Sequence, residues 1–414
     1  MPDPFPRLHP RPSTGWVNDP NGVGFWDDRY HVMFQWNPFG PQHHAIHWGH
    51  LSSPDLVHWR EEGIALAPRP GGIDETGAWS GVAVVDEDGE PRLVYTAVRT
   101  GAMDSGVAVA ARAGGRFVAG GDWVAPHPEG FLDVRDPFRV EGAGRELWVQ
   151  GAGTLSGTGA VLAYEVSEDG GWRLLGPLLG VDDVPDGLLR QGSIWECPQL
   201  FRLGEDWVLL VSWVHRSESG ESLGVTAYVG DLDLAGDAPR FRVRAANRLD
   251  GPEFYAPQGF CAPDGRVLLF SWTWEGRGTG VLGRAQVDTD AAGWAGSLTF
   301  ARELQVQDGR AVCRPAAELL ALRAGPLAHD EREVATAEAA WEVLAAGPVV
   351  LQVHDDDGAH EVWSGESPTV RVLVDASVVE VFTAEDSSTL RIYPRGEARW
   401  VLRAGHVDAA HRLA

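Results

Sequence analysis

An all-β fold is predicted for this 414-residue chain by a repeat, by apolar runs of strand length and by a shortage of helical periodicity. Asp19, Ser80, Asp136, Glu196 and Tyr255 recur at steps of 61, 56, 60 and 59 residues, each position subtracted from the next. After each marker, at a nearly fixed offset, comes an apolar run: Val32 to Trp36, Leu93 to Val98, Leu147 to Gly151, Val208 to Val214 and Val267 to Trp274. Third runs follow at His47 to Ser53, Val107 to Arg112, Ala160 to Val166, Leu223 to Val229 and Val281 to Val287. Five copies of a small antiparallel sheet predict a five-bladed β-propeller, in which the first strand of each blade lines a central channel. Side chains far apart in sequence then meet on the axis.

The remaining elements follow in chain order. Asp27-Asp28, Asp86 to Gly89, Asp169-Gly170-Gly171 and Pro263-Asp264-Gly265 are turn signals between runs rich in Val, Leu, Trp and Phe. The one stretch with helical amphipathicity lies near Arg314 to Arg323. From about Leu327 the aromatic motifs stop, and short strands are expected at Val349 to His354, Val370 to Val374, Val378 to Thr383, Thr389 to Tyr393 and Arg399 to Arg403. Their spacing predicts a small C-terminal β-sandwich. The expected division is a propeller over 1–310, a linker with helical character over 311–326 and the sandwich over 327–414.

Composition narrows the chemistry. The chain carries 59 acidic against 34 basic residues, a net charge of −25, and all 34 basic residues are arginine. Such a surface repels nucleic acid and anionic membranes, so neither is an expected partner. The absence of lysine removes Walker-type phosphate loops, Schiff-base chemistry and lysine general bases together. Cys197, Cys261 and Cys313 form no paired motif, and Met-Pro-Asp-Pro-Phe-Pro lacks the basic and apolar regions of a signal peptide. A reducing, cytoplasmic setting is the expectation.

Three carboxylates stand in short distinctive frames: Asp19 in Trp16-Val-Asn-Asp-Pro-Asn-Gly22, Asp136 in Val134-Arg-Asp-Pro-Phe138, and Glu196 in Ile194-Trp-Glu-Cys-Pro198. Two opposed carboxyl groups and a mould for the sugar suffice to cleave a glycosidic bond. The acid must keep its proton near neutrality while its partner stays ionised, so the two need different environments. Asp19 follows Asn18 in a tight Pro-Asn-Gly turn whose amides are expected to keep it ionised.

These frames, in this order and spacing, resemble glycoside hydrolase family 32, the invertase, inulinase and levanase family. Further agreement lies in His47-Trp-Gly-His50, Trp79-Ser-Gly81, Phe254-Tyr-Ala-Pro-Gln258 and Asp375-Ala-Ser-Val-Val-Glu-Val-Phe382, so the likeness runs from about Arg11 to Pro394. The resemblance implies a retaining β-fructofuranosidase that needs no cofactor and acts on a small sugar such as sucrose or a short fructo-oligosaccharide. Asp19 would be the nucleophile, Glu196 the general acid, and Asp136, with Arg135 beside it, the carboxylate that holds two ring hydroxyls. Asn18, Gln35, Trp79, Ser80, Tyr255 and Trp272 would shape the fructose pocket. Fructosyl transfer, and a non-catalytic sugar-binding protein on the same fold, remain open alternatives, as do sucrose 6-phosphate, inulin and levan as substrates.

Local readings compete at several positions. Asn18 to Asn21 also reads as an Asx-turn, and Trp48, Trp59, Trp195, Trp213 and Trp294 read as core rather than sugar platforms. The run His43, His44, His47, His50 has metal-ligand spacing only on a helix, whereas the repeat makes His47 to Ser53 a strand, so no metal is expected. The chain also departs from the family pattern. His43-His44 occupy the register where a Trp-Gly pair commonly walls the pocket, and Glu253 replaces the usual Asp. One of the two imidazoles is expected to line the pocket at the junction of fructose and leaving group.

Overall fold

Each marker lies on the innermost strand of an antiparallel sheet, and five such sheets form the ring of a propeller. The computed structural model describes residues 3–86, 88–167, 170–217, 220–236, 238–275 and 282–414. The inner strands are Gly15–Trp26, Gly77–Val85, Phe131–Arg139, Ile194–Leu203 and Tyr255–Cys261. Each pairs with the apolar run after it, and successive strands are joined by turns. The second strands read as continuous apolar runs because sheets packed face to face bury both of their sides; Val267–Thr273 is buried throughout. Trp48 and Trp195 are fully buried, and Trp213 and Trp294 nearly so. The Trp48 indole N–H donates to the Trp79 carbonyl at 3.1 Å, which ties sheet one to sheet two. Gly151 admits the next sheet at close range: a Cβ there would sit 2.2 Å from the Trp195 carbonyl oxygen.

All five inner strands carry a register shift where the marker stands, between Asn18 and Pro20, Ala78 and Gly81, Arg135 and Phe138, Glu196 and Gln199, and Tyr255 and Gln258. Three of these bulges contain proline, Pro137, Pro198 and Pro257, and Pro20 follows directly after the bulge of sheet one. A bulge suits proline because its missing N–H has no ladder partner to lose there. Three of the residues before these prolines, Asp136, Cys197 and Ala256, take positive φ of 62°, 45° and 50°. Amides stripped from the ladder find side chains on the preceding sheet. Gly81 N donates to Asn21 Oδ1 at 3.2 Å, Asp136 N to Thr96 Oγ1 at 2.8 Å, Cys197 N to Asp136 Oδ2 at 2.8 Å and Ala256 N to Ser212 Oγ at 3.1 Å. Val23 N, donating to Gln258 Oε1 at 3.1 Å, serves the fifth seam.

The fifth sheet departs from the expected repeat. Its third strand is Arg302–Gln307, not Val281 to Val287: Val281 lies outside the described residues, and Gln286–Ala292 is a short helix closed by left-handed Gly293. Trp294–Ala295 then pairs in parallel with Gly15 and Trp16 of sheet one. The insertion thus closes the ring, a task that no periodic pattern reveals. The expected boundaries shift as well. Arg310–Pro315 completes sheet five, so the propeller passes residue 310; the helical segment is a 3-10 turn, Ala317–Leu322; and Arg323–Pro326 already pairs with the final strand.

The C-terminal sandwich is built from one hydrogen-bonded set of seven strands. Its long members, Ala340–Asp355, Gly358–Asp375 and Arg399–Leu413, shift register near Ala345 to Val349. They enclose a core of Trp341, Val343, Leu351, Val372, Val381 and Leu402. Arg302, fully buried, joins the two domains: it reaches Asp250 at 2.5 Å, Glu380 at 2.8 Å and Thr389 at 2.7 Å. Glu380 also accepts the Phe300 amide at 2.8 Å and meets His9 Nε2 at 3.0 Å, while His9 Nδ1 meets Asp375 at 2.8 Å.

Removing one member of a buried ion cluster leaves the others uncompensated, at a typical cost of about 3–5 kcal/mol. Arg302→Leu is therefore expected to destabilise the chain by about that amount in urea unfolding. A loss below about 1 kcal/mol would show that the cluster contributes little to joining the domains.

Candidate active site

Strand pairing sorts the inner-strand side chains into two rows. Arg135, Glu196 and Tyr255 occupy the last paired position before the bulge on sheets three, four and five. Asp136, Cys197 and Ala256 occupy the bulge itself, as Asp19 does on sheet one. Glu196 and Asp19 therefore belong to different rows, although the spacing read from sequence placed them in one. The first row is hydrogen-bonded along its length. Arg135 donates Nε and Nη2 to Glu196 Oε1 at 3.1 and 2.7 Å, and the Tyr255 hydroxyl donates to Glu196 Oε2. Arg135 also lies over Trp79, 5.7 Å from the ring centroid.

The second row holds the other two carboxylates. Asp19 Oδ2 accepts from Ser80 Oγ at 2.9 Å and from Gln35 Nε2 at 3.3 Å. Cys197 Sγ stands 3.8 Å from Asp19 Oδ2 and 3.5 Å from Asp136 Oδ2. Burial and the surrounding carboxylates hold this thiol well above its usual titration range, so it is a donor between the two aspartates. Asn18 is fixed by the Trp16 indole N–H, which donates to its Oδ1 at 2.7 Å.

The electrostatics correct one expectation and leave the need for distinct environments in place. Burial, reinforced by Glu196, pushes Asp19 up to about 6 against hydrogen bonds from Asn18 and Ser80. Its bonds come from the side chains of its neighbour Asn18, of Gln35 on the next strand and of Ser80 on the next sheet, and they only partly offset a dry site with other carboxylates in it. Burial pushes Asp136 up to about 7, opposed by Arg135 and raised further by Glu196. Burial lowers the titration of Arg135, but the charges of Glu196, Asp136 and Asp133 outweigh it and hold the guanidinium charged. One carboxylate is thus gripped by a cation and a phenol, and another by neutral donors.

Asn18, Asp19, Gln35, Trp79, Arg135, Asp136, Glu196, Tyr255 and Trp272 line one cavity of about 410 Å³, within the usual size for a small-molecule site. Ser80 is buried behind Asp19. The histidine pair separates. His43 lines the cavity, 6.1 Å from Trp16 with the rings at 89°, whereas His44 is not among the residues of the wall. Only one imidazole of the pair enters. Trp16, Val214, Leu223 and Cys197 also shape the site but were not among the expected residues. Trp16 and Cys197 were visible in the frames of Asp19 and Glu196, whereas Val214 and Leu223 carry no signal beyond strand apolarity.

The raised Asp19 has a consequence for stability. Its titration rises from 3.8 to about 6 on folding, so folding favours the protonated form. The associated stability is complete below about pH 4 and is lost as pH climbs through about 6, amounting to up to about 3 kcal/mol by pH 8. Asp19→Asn is therefore expected to be more stable than the parent at pH 8, by up to about 3 kcal/mol, with the gain vanishing near pH 4. Thermal unfolding across pH measures this, and an Asn variant no more stable at pH 8 would refute the burial penalty.

Known proteins align with this arrangement. The sequence profile of the glycosyl hydrolases family 32 N-terminal domain matches residues 9–315. A sucrose-6-phosphate hydrolase of Klebsiella pneumoniae is 33% identical, with 94% of this chain and 89% of that protein aligned. A raffinose invertase of Escherichia coli is 32% identical, over 98% of this chain and 93% of that protein. Among solved structures, a GH32 beta-fructofuranosidase of Bombyx mori in complex with sucrose superposes with a TM-score of 0.81 at 26% identity, covering 100% of this chain and 94% of that one. With a family profile over most of its length and full-length relatives above 30% identity, the chain belongs to glycoside hydrolase family 32.

Proposed function

We propose that the protein is a retaining β-fructofuranosidase that releases fructose from sucrose or short fructo-oligosaccharides. The observation that carries this reading is the meeting of Asp19, Asp136 and Glu196 in one axial cavity. The Asp19 carboxylate attacks C2 of the fructosyl unit as the C2–O bond to the leaving group breaks, and Glu196 gives its proton to the departing oxygen. Glu196, now a carboxylate, takes a proton from water. The water oxygen bonds to C2 and the Asp19 ester breaks, freeing fructose. Asp136 accepts hydroxyls of the ring and meets positive charge developing at C2 and the ring oxygen. Free Cys197, Cys261 and Cys313 are consistent with a reducing, cytoplasmic setting.

A neutral leaving group fits this cavity better than a phosphorylated one. Among the described residues of its wall, Arg135 is the one arginine, and it is committed to Glu196. Burial lowers His43, so this imidazole is a neutral hydrogen-bonding ring beside Trp16. Purified protein is expected to turn over sucrose with a kcat/KM at least about tenfold above that for sucrose 6-phosphate, since a dianion would meet no free cation among the described residues of the wall. The reverse preference would overturn the substrate assignment.

The mechanism is tested apart from the substrate. Asp19→Ala is expected to lower kcat by at least about a thousandfold with the fold intact, and the parent should release β-fructofuranose first in a proton NMR time course. The acid limb of the parent kcat/KM profile should lie near pH 6, where Asp19 takes up its proton. Ser80→Ala removes a donor to the carboxylate, so it should move that limb to higher pH. Initial release of α-fructofuranose, or a tenth of parental activity in Asp19→Ala, would exclude Asp19 as the nucleophile.

A further inference from the structure

A larger cavity, of about 800 Å³, lies between the outer strands of sheets one and two and shares no residue with the carboxylate site. Its wall includes Arg29, Arg60, Arg69, Arg112 and Arg116 against Asp27 and Glu62. Three of these arginines are committed: Arg60 to Glu62, Arg112 to Asp27 at 2.8 Å, and Arg69 to Asp74 at 2.8 Å. Arg29 donates Nε to Ser52 Oγ at 3.0 Å, and its terminal nitrogens, like the whole Arg116 guanidinium, meet no acceptor among the described residues. Two uncommitted cations thus face one concavity of a chain whose net charge is −25. Guanidinium forks match phosphate oxygens in pairs.

The floor adds a second kind of recognition. His31 lies flat on Trp26, centroids 3.8 Å apart at 4°, with Nε2 3.1 Å from the Trp26 carbonyl and Nδ1 2.8 Å from His50 Nε2. A carbonyl only accepts, so His31 Nε2 carries the hydrogen. His31 Nδ1 is then bare, and His50 must donate from Nε2. Burial pushes both imidazoles down to about 4, in keeping with two neutral rings. The chain of bonds leaves His50 Nδ1 with a free lone pair, an acceptor for a hydroxyl. The 2.8 Å contact is a hydrogen bond, being shorter than the spacing of two nitrogens that share a zinc at about 2.0–2.1 Å each.

We propose that this cleft binds a phosphate monoester of a small polyol, the phosphate on Arg29 and Arg116 and a hydroxyl on His50 Nδ1. The ligand class follows from the pairing of free guanidiniums with a neutral acceptor beside an aromatic floor. The site is separate from the carboxylate cavity, so its occupation does not depend on the reaction assigned there.

Isothermal titration of the full chain with glucose 6-phosphate, inorganic phosphate and glucose tests the assignment. Glucose 6-phosphate is expected to bind with Kd below about 1 mM, inorganic phosphate at least about tenfold more weakly, and glucose more weakly still. The double variant Arg29→Gln, Arg116→Gln should weaken glucose 6-phosphate at least about tenfold and leave sucrose turnover unchanged, which also separates this cleft from the carboxylate cavity. Absence of binding, or an affinity indifferent to the double variant, would overturn the site. Equal binding of inorganic phosphate would overturn the ester, and equal binding of glucose would overturn the anion.

Discussion

Everything in the cavity depends on how the ring satisfies the amides that bulging strips from its inner strands. A buried N–H without an acceptor costs about 1–3 kcal/mol, so five bulges facing a channel would be untenable alone. At each seam an inner-strand amide instead reaches a side chain of the preceding sheet, namely Asn21, Thr96, Asp136, Ser212 and Gln258. The bonds that close the ring are thus the bonds that aim its polar groups. Asp136 shows the double duty most clearly. Its Oδ2 takes the Cys197 amide and sets the strand carrying Glu196, while the same carboxylate faces the cavity.

The sandwich contributes at a distance through the same logic. Glu253 N donates to the Thr389 carbonyl at 3.0 Å, and Arg302 grips Thr389, Glu380 and Asp250 together. Tyr255, which donates to Glu196, enters its strand two residues after Glu253. A domain that supplies no cavity wall therefore fixes the approach of the strand that steadies one catalytic candidate. Packing across a domain boundary becomes geometry at the axis.

Much of this was legible in the sequence, because a propeller repeats its spacing and its inner strands carry short, rigid frames. Asp19, Asp136 and Glu196 could be brought together from spacing alone. The row that each occupies could not, because Glu196 and Cys197 are neighbours and only the pairing with Ser212 shows which of them stands in the bulge. Nor could Asp19's titration be judged from its own turn, since its partners Gln35 and Ser80 come from another strand and another sheet. The fifth sheet misled for a different reason. An insertion that includes a helix separates its second and third strands, and a period cannot survive that.

The parallel pairing of Gly15 and Trp16 with Trp294 and Ala295 joins segments almost 280 residues apart, through a ladder of two residue pairs. Asp19 lies just beyond this ladder on sheet one, and Tyr255 begins sheet five on its other side. Contacts so distant in sequence form late in folding and rest on little local structure. The seam is therefore the place where a small opening of the ring would part Asp19 from Tyr255 and Glu196, at the loss of one two-residue strand from sheet one. Catalytic competence in such a molecule is a property of closure, and it can be lost before any blade unfolds.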